Sequence, residues 1–160
     1  MPHKIKTNAV RMLENAGIAY QCIEYPHEEG VAVDGRTVAA MLGEEETSVF
    51  KTLVTVGSSR EHYVFVVPVA RELDLKAAAR AVGEKSVEMV QVSELLRLTG
   101  YVRGGCSPVG MKKPYPTVID ASAREREYIY VSAGKIGLQV RLAPKALADL
   151  IGGFFAEIAH

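Results

Sequence analysis

Cysteine, tryptophan and an excess of charge of either sign are scarce in this chain. None of its 160 residues is tryptophan, and the two cysteines, Cys22 and Cys106, belong to no CxxC or Cys/His pattern. That spacing argues against a disulfide scaffold and gives no signature of a metal site. Lys and Arg number 19, as do Asp and Glu. The chain therefore has no basic footprint for broad wrapping of DNA or other nucleic acid.

Long apolar runs are missing as well. None approaches the roughly 20 residues that cross a bilayer, and residues 1–6 lack the apolar core of a signal peptide. With 48% hydrophobic and 24% charged residues, the composition is typical of a soluble globular protein. We therefore expect a cytoplasmic protein without membrane contact, folded as one domain over residues 1–160.

The balanced charge is unevenly distributed along the chain. Between residues 101 and 142, seven basic residues outnumber three acidic ones, which gives this segment a net charge of +4. A small anionic ligand or the end of an RNA could dock on such a segment. A solvated face balanced by acidic residues elsewhere explains the same charge equally well.

Capping residues and β-branched runs predict the helices and strands. Thr7 and Asp74 are suitable N-caps, and Pro144 suits the first turn of the last helix. Helices are expected at 7–16, 37–42, 76–82, 93–98 and 144–150. Strands are expected at 19–25, 49–56, 62–69, 87–90, 101–103, 117–121, 127–132 and 138–142, with turns at 57–60 and 133–137. Because the elements do not alternate strictly, we expect an α+β fold with a mixed, mainly antiparallel, barrel-like sheet flanked by helices.

Lys51 lies within an apolar run, 49–56, that is typical of a strand. Alternation puts Lys51 on the face opposite to Phe50 and Val54. A lysine in such a strand costs free energy unless its ammonium reaches water or an anion. Two interpretations stay open: a lysine that extends to solvent from an edge strand, and a cation that faces a pocket, suited to a phosphate, a carboxylate or a developing oxyanion.

A glycine-rich loop follows at residues 102–110. Its paired glycines, Gly104 and Gly105, allow backbone N–H groups to approach a ligand and to stabilise an oxyanion without a side-chain nucleophile. The loop is not a nucleophile elbow, because Ser107 lacks the final glycine of GxSxG and is followed by Pro108, which has no N–H. It also matches neither GxGxxG nor a Walker loop. Taken alone, it is more often a tight structural turn.

Three other features each have an ordinary and a functional interpretation. The segment 132–137, with Ser132 and Gly134, combines a hydroxyl and a glycine turn but is typical of a hairpin. Cys106 could serve as a nucleophile if a cation lowered its pKa, although a small neutral loop side chain is the commoner role. His27 could act as a base, but no Ser/His/Asp arrangement follows from the spacing.

Taken in order, these motifs resemble the YbaK family of aminoacyl-tRNA deacylases, and in particular its bacterial Cys-tRNA(Pro) deacylase branch. The resemblance extends over nearly the whole chain. It is carried by Phe50-Lys51-Thr52-Leu53, Leu73-Asp74-Leu75-Lys76, Val87-Glu88-Met89, Thr99-Gly100-Tyr101, Gly104-Gly105-x-Ser107-Pro108-x-Gly110 and Ile129-Tyr130-Val131-Ser132-x-Gly134-Lys135-x-Gly137-Leu138.

The resemblance implies an α+β editing domain that needs no metal and no organic cofactor. It implies hydrolysis in trans of the ester that joins a wrong amino acid, cysteine above all, to the terminal adenosine of tRNA(Pro). The sulfur of the substrate cysteine would attack its own carbonyl, so that the protein orients the ester and stabilises charge. Some members of the branch associate with prolyl-tRNA synthetase as well as with the tRNA.

Site residues follow by position from the same resemblance. Lys51 would contact the tRNA 3′ end or hold the reacting group, while Gly104 and Gly105 would supply backbone contacts. The pocket residues implied beside them are Tyr25, Thr52, Ser107, Ser132 and Gly134.

Three departures from the family pattern bear on specificity. Asp34 stands where close relatives carry an aromatic residue, Ala146 stands where an acidic residue is expected, and Cys106 replaces an apolar loop residue. Deacylation of another small amino acid, as in Ala-tRNA(Pro), is therefore the enzymatic alternative. A non-catalytic module that binds tRNA or a synthetase is the alternative from a different class.

Overall fold

The computed structural model describes residues 6–160, so that most of the segment that argues against a signal peptide lies outside the described part. Five α-helices and eight strands follow in chain order. The helices are α1 Asn8–Asn15, α2 Gly35–Leu42, α3 Leu75–Val82, α4 Val92–Thr99 and α5 Pro144–Ile151. The strands are β1 Tyr20–Glu24, β2 Phe50–Gly57, β3 His62–Pro68, β4 Val87–Met89, β5 Thr117–Asp120, β6 Ile129–Lys135, β7 Leu138–Leu142 and β8 Phe154–Ala156.

The strands form two sheets that meet at one bridge. One sheet has the order β1-β7-β6 and is antiparallel; the other has the order β4-β2-β3-β5-β8 and is mixed, because β5 runs parallel to both β3 and β8. Val49 bridges Tyr130 between the sheets, and the Tyr130 N–H donates to the Ser48 carbonyl at 2.9 Å. The predicted α+β class and mixed, mainly antiparallel pairing are confirmed.

The central strands of the five-stranded sheet are buried on both faces. Phe50 and Val54 of β2 belong to a cluster with residues of α1, α5 and the β1-β7-β6 sheet. Phe65 and Val67 of β3 belong to a second cluster with residues of α3. Burial on both faces explains why β3 is a nearly continuous apolar run rather than an alternating one.

Two predicted segments are wrong. Residues 101–103 form no strand, because the Tyr101 ring is buried with its hydroxyl donating to the Val109 carbonyl at 2.7 Å, and the chain turns so that the Gly105 N–H meets the Val102 carbonyl. The turn at 133–137 is shorter than expected, since β6 continues through an irregularity to Lys135. The glycine at position 134 made this segment resemble a turn in the sequence, so the continuation of β6 was not predicted.

Two elements were not predicted. Residues Ala121–Glu125 form a 3-10 helix, with the Asp120 carboxylate accepting from the Ser122 N–H and hydroxyl. Strand β8 pairs in parallel with β5, and its three residues carry little strand signal of their own. The Asp120 carboxylate also accepts from the N–H groups of Ile158 and Ala159, both at 3.1 Å. This buried carboxylate thus fastens the segment after β8 to the end of β5.

Candidate functional site

A cavity of about 680 Å³ opens where the two sheets and α2 meet. Its walls come from the end of β1, the segment that leads into α2, the first half of β2, the glycine loop and the β6–β7 pair. The residues that line it are Tyr25, Ala32, Val33, Asp34, Gly35, Val38, Val49, Phe50, Lys51, Thr52, Leu53, Val69, Arg103, Gly104, Cys106, Ser132 and Gln139. Most of these residues are apolar, and a few polar groups converge among them, as is usual for a ligand site.

Lys51 is the partly sheltered cation of this cavity. It is the second residue of β2, and its backbone pairs with Val67 of β3. Its ammonium lies 3.4 Å from Glu72 Oε2, with 28% of the lysine side chain exposed against 79% for Glu72. An ion pair with one such exposed partner adds little stability. An anionic or developing oxyanionic group in the cavity could therefore replace Glu72 at low cost.

Tyr25 and Ser132 form walls from the three-stranded sheet. Tyr25 is 4% exposed, and its N–H donates to the Gly137 carbonyl at 2.9 Å. Ser132 is buried on β6, where its hydroxyl oxygen accepts from the Gly134 N–H at 3.3 Å. Hydrogen bonds thus hold the Tyr25 backbone and the Ser132 hydroxyl, which fixes the shape of this end of the cavity.

The two paired glycines have different surroundings. Gly104 lines the cavity with a φ of 85°, and a Cβ there would lie 2.8 Å from the Ala32 Cβ. Gly105 packs against the backbone of Lys135 and Ile136, and its N–H donates to the Val102 carbonyl at 2.9 Å. Gly104 is therefore the glycine that faces the cavity, while Gly105 brings the loop close to the β6–β7 turn.

Two other implied pocket residues lie outside the cavity lining. Ser107 is completely buried, and its hydroxyl oxygen accepts from the Val109 N–H at 3.2 Å. Gly134, with a φ of 97°, lies where a Cβ would come within 2.7 Å of the Tyr101 ring. Both residues shape the glycine loop and the β6 irregularity that support the site.

Cys106 lines the cavity as a protonated thiol. Burial raises the pKa of this thiol to about 11, despite a hydrogen bond with Thr99 that lowers it. The side chain is 8% exposed and belongs to the apolar cluster around α1. A thiol with this pKa is a poor nucleophile near neutral pH. The structure therefore supports the ordinary role of Cys106 as a small apolar side chain.

Two buried side-chain oxygens belong to residues that line the cavity. Within residues 6–160, neither Thr52 Oγ1 nor Gln139 Oε1 has a hydrogen-bond partner, although both atoms are buried. We call these two atoms the cavity oxygens. Buried polar atoms are nearly always paired, and an exception calls for an explanation. Binding of a ligand that donates hydrogen bonds to these two oxygens would explain why they lack a partner within the protein.

Sequence reasoning did not include Gln139 or Arg103 in the site. Gln139 lies on β7 between Leu138 and Val140, and a glutamine between two buried apolar residues is the signal that could have drawn attention to it. Arg103 belongs to the basic segment 101–142, whose charge thus reaches the cavity at one position at least.

The departures from the family pattern differ in position. Asp34 lines the cavity and caps α2, accepting from the Thr37 N–H at 3.1 Å and the Thr37 hydroxyl at 2.6 Å. These hydrogen bonds lower the pKa of its carboxyl, so Asp34 is an anion at neutral pH. Ala146 lies on α5 and does not line the cavity.

Residues 6–160 contain no group of three or more His, Cys, Asp or Glu side chains arranged to hold a metal ion. No helix in the same part of the chain is long and apolar enough to cross a membrane.

The fold and the cavity together define an α+β protein that can hold a polar ligand beside a lysine. The chain belongs to the aminoacyl-tRNA editing domain family, whose sequence profile matches residues 30–150. It is 48% identical over 153 residues to a protein of Enterococcus faecalis, EbsC, which is named as a candidate Cys-tRNA(Pro)/Cys-tRNA(Cys) deacylase. That match covers 96% of this chain and 93% of EbsC.

Two solved structures share the fold. One is described as a candidate trans-editing enzyme for prolyl-tRNA synthetase; it is 28% identical, with a TM-score of 0.83 over 98% of this chain and 99% of the other. The second, a hypothetical protein, is 21% identical with a TM-score of 0.86 over 96% of this chain and 100% of the other. The predicted membership of the YbaK type of editing domain is confirmed.

Proposed function

We propose that this protein is a trans-editing deacylase that hydrolyses the ester of mischarged aminoacyl-tRNA, with Cys-tRNA(Pro) as its substrate. Membership of the editing family and the names of EbsC and of the trans-editing relative support the reaction class and the substrate. The ligand is then the acceptor end of tRNA(Pro), and prolyl-tRNA synthetase, which makes the mischarged product, is the partner enzyme.

One observation carries the mechanism: the cavity pairs a cation with groups that are poorly suited to attack an ester. The Cys106 thiol is protonated at neutral pH, and the Ser107 hydroxyl is fully buried outside the cavity. The family resemblance implies that the nucleophile is the thiol of the substrate, and the states of Cys106 and Ser107 support this role for the substrate. Its sulfur attacks the ester carbonyl, and the bond from the carbonyl carbon to the ribose oxygen breaks.

The atoms balance without an enzyme-bound intermediate. The proton of the substrate thiol goes to the departing ribose oxygen, which leaves tRNA with a free hydroxyl and cysteine as a four-membered cyclic thioester. Water then opens that ring to cysteine. The protein contributes orientation and charge stabilisation: Lys51 and Gly104 hold the ester, and Tyr25, Thr52 and Ser132 form the walls. Gly105, Ser107 and Gly134 support those positions.

Single-turnover hydrolysis of Cys-tRNA(Pro) by the purified protein tests the proposal. We expect hydrolysis well above the spontaneous rate, and a loss of roughly 100-fold or more in Lys51→Ala, as when one oxyanion-stabilising donor is removed. Lys145→Ala, which removes a lysine that is 87% exposed on α5, is the matched control. Hydrolysis at the spontaneous rate would reject the proposal, and an unchanged Lys51→Ala rate would remove Lys51 from the mechanism.

Assays on different aminoacyl-tRNA substrates distinguish the proposed function from its two alternatives, an Ala-tRNA(Pro) deacylase and a non-catalytic binding module. A deacylase for Ala-tRNA(Pro) has no substrate thiol and must act by another route, so it would hydrolyse S-methylated Cys-tRNA(Pro) and Ala-tRNA(Pro) readily. The proposed mechanism requires both to be poor substrates. Binding of tRNA without turnover of Cys-tRNA(Pro), Cys-tRNA(Cys) or Ala-tRNA(Pro) would identify a non-catalytic module instead.

A further inference from the structure

Gln139 occupies a buried position in the sheet where its side-chain oxygen has no hydrogen-bond partner among the described residues. It lies in the middle of β7, with its backbone in register with Ile23 of β1 and Ser132 of β6. Its neighbours Leu138 and Val140 point into the apolar core. Strand alternation puts the Gln139 side chain on the other face, where the residue lines the cavity, and only 5% of the residue is exposed.

The amide of Gln139 carries a cost that a leucine or methionine of similar size would not. Its Oε1 is one of the two cavity oxygens defined above, the other being Thr52 Oγ1. Burial of such an acceptor costs free energy until a donor reaches it. A bound ligand with N–H or O–H groups removes that cost, so the cavity oxygens favour a ligand rich in donors.

The polar groups of the cavity divide by type. Asp34 is an anion, but its two carboxylate oxygens already accept hydrogen bonds from the Thr37 N–H and hydroxyl. Lys51 and Arg103 are cations and donors only, and they suit the acceptors of an aminoacyl-tRNA end, which are the ester carbonyl and the phosphates. The cavity oxygens are neutral acceptors and suit a donor. Of the groups at the aminoacyl end, the α-ammonium presents three donors at once, and its charge strengthens hydrogen bonds to neutral oxygens.

We propose that Gln139, together with Thr52, binds the α-ammonium group of the aminoacyl ester and thereby makes a free amino group a requirement of the site. This inference rests on the proposed deacylase function. It assigns Gln139 as a substrate-binding residue, and it gives the cavity a way to refuse esters whose nitrogen is blocked, such as N-acylated or peptidyl-tRNA.

The test compares Cys-tRNA(Pro) with N-acetyl-Cys-tRNA(Pro) that keeps its free thiol, in single-turnover assays corrected for spontaneous hydrolysis. Acetylation removes the charge and two of the three donors but leaves the attacking sulfur. We expect the wild type to prefer the free amine by about tenfold or more, in line with a hydrogen bond to a charged group. Gln139→Met should lose most of that preference, mainly by slowing the free-amine substrate, and Thr52→Val should weaken it.

Two variants control the interpretation. Gln139→Glu keeps acceptor oxygens at the same place and should retain the preference for the free amine. If the Gln139 amide acted as a donor instead, Gln139→Glu would lose the preference as Gln139→Met does. Gln91→Met changes an exposed glutamine at the N-cap of α4 that makes no side-chain capping bond, and should leave both rates unchanged. The thermal midpoint of Gln139→Met should equal or exceed that of the wild type, because the substitution removes a buried acceptor.

The outcomes separate this inference from the proposed function. Hydrolysis of neither substrate by the wild type overturns both. Equal wild-type rates on the two substrates, or an equal slowing of both in Gln139→Met, leave the deacylase function standing and overturn the role of Gln139. Loss of the preference in Gln139→Glu overturns it as well.

Discussion

Single residues of the cavity differ in what burial does to them. The Lys51 ammonium is partly exposed and pairs with the exposed Glu72, whereas Cys106 is almost fully buried and its thiol stays protonated. Asp34 is an exposed anion whose carboxylate is already engaged by Thr37. These environments support the proposed charge stabilisation by the lysine and a packing role for the cysteine, although cysteine is the stronger nucleophile in free solution.

Replacement of Cys106 tests that packing role. Cys106→Ala should change single-turnover hydrolysis of Cys-tRNA(Pro) by less than about tenfold, since removal of a true nucleophile costs on the order of 10⁶-fold. Cys22→Ala, at the half-buried cysteine of β1, is the control. A loss of several orders of magnitude in folded Cys106→Ala would make Cys106 the nucleophile and refute the substrate-thiol mechanism.

At the scale of elements, the β2–β3 hairpin is fastened at its turn by a carboxylate. Glu84, which follows α3, accepts from the Ser59 hydroxyl, from the Ser59 N–H at 3.1 Å and from the Tyr63 hydroxyl at 2.6 Å. A Cβ at Gly57 would collide with this carboxylate. The hydrogen bonds from Ser59 and Tyr63 lower the pKa of Glu84 to about 2.

We call the Glu84 carboxylate and its hydrogen bonds to Ser59 and Tyr63 the latch. The latch predicts a specific pH dependence of stability. Because the folded pKa of Glu84 lies at about 2, below its ordinary value of 4.5, the ionised carboxylate stabilises the fold above pH 4.5 and loses this effect as the pH falls toward 2. Glu84→Gln should lower the thermal midpoint at neutral pH, and its difference from the wild type should shrink across that window.

A carboxylate within the hairpin, that of Glu61, serves as the control. Glu61→Gln removes a charge next to the turn without removing the hydrogen bonds to Glu84, so its difference from the wild type should not follow the same window. A Glu84→Gln difference that stays constant from neutral pH to pH 2 would contradict the latch.

At the scale of the whole molecule, the chain end is tied back toward Lys51. Asp120 at the end of β5 holds the N–H groups of Ile158 and Ala159, and His160 exchanges two backbone hydrogen bonds with Glu72. Glu72 is the ion-pair partner of Lys51. The C-terminal segment thus positions the residue that the substrate is expected to displace.

Loss of the Asp120 carboxylate should therefore weaken the whole fold. Asp120→Ala leaves several donors without their acceptor and should lower the free energy of unfolding by about 3 kcal/mol or more, since hydrogen bonds to charged groups contribute roughly 1.5–3 kcal/mol each. Asp120→Asn keeps one acceptor oxygen for the two backbone N–H groups and should cost less. Urea unfolding measures both variants, and equal losses would show that the acceptor geometry does not matter.

Much of the local structure could be predicted from the sequence, because caps, turns and strand runs depend on neighbours along the chain. Thr7 and Asp74 cap α1 and α3, and Pro144 begins α5, as predicted. The segment 101–103 could not be predicted in this way, because its conformation follows from where the buried Tyr101 side chain packs. Strand β8 likewise depends on its distant partner β5.

What the sequence by itself determined is the α+β class, the order of nearly all elements, the editing family and the position of Lys51 on β2. Those features follow from local periodicity and from motifs read in order. Only the tertiary structure decided which residues share the cavity: it brought Tyr25, Gly104 and Gln139 together and left Ser107 outside. The physical reason is that a polar atom acquires its role from its partners, and Gln139 Oε1 could be recognised as open only once the surroundings described for residues 6–160 were known.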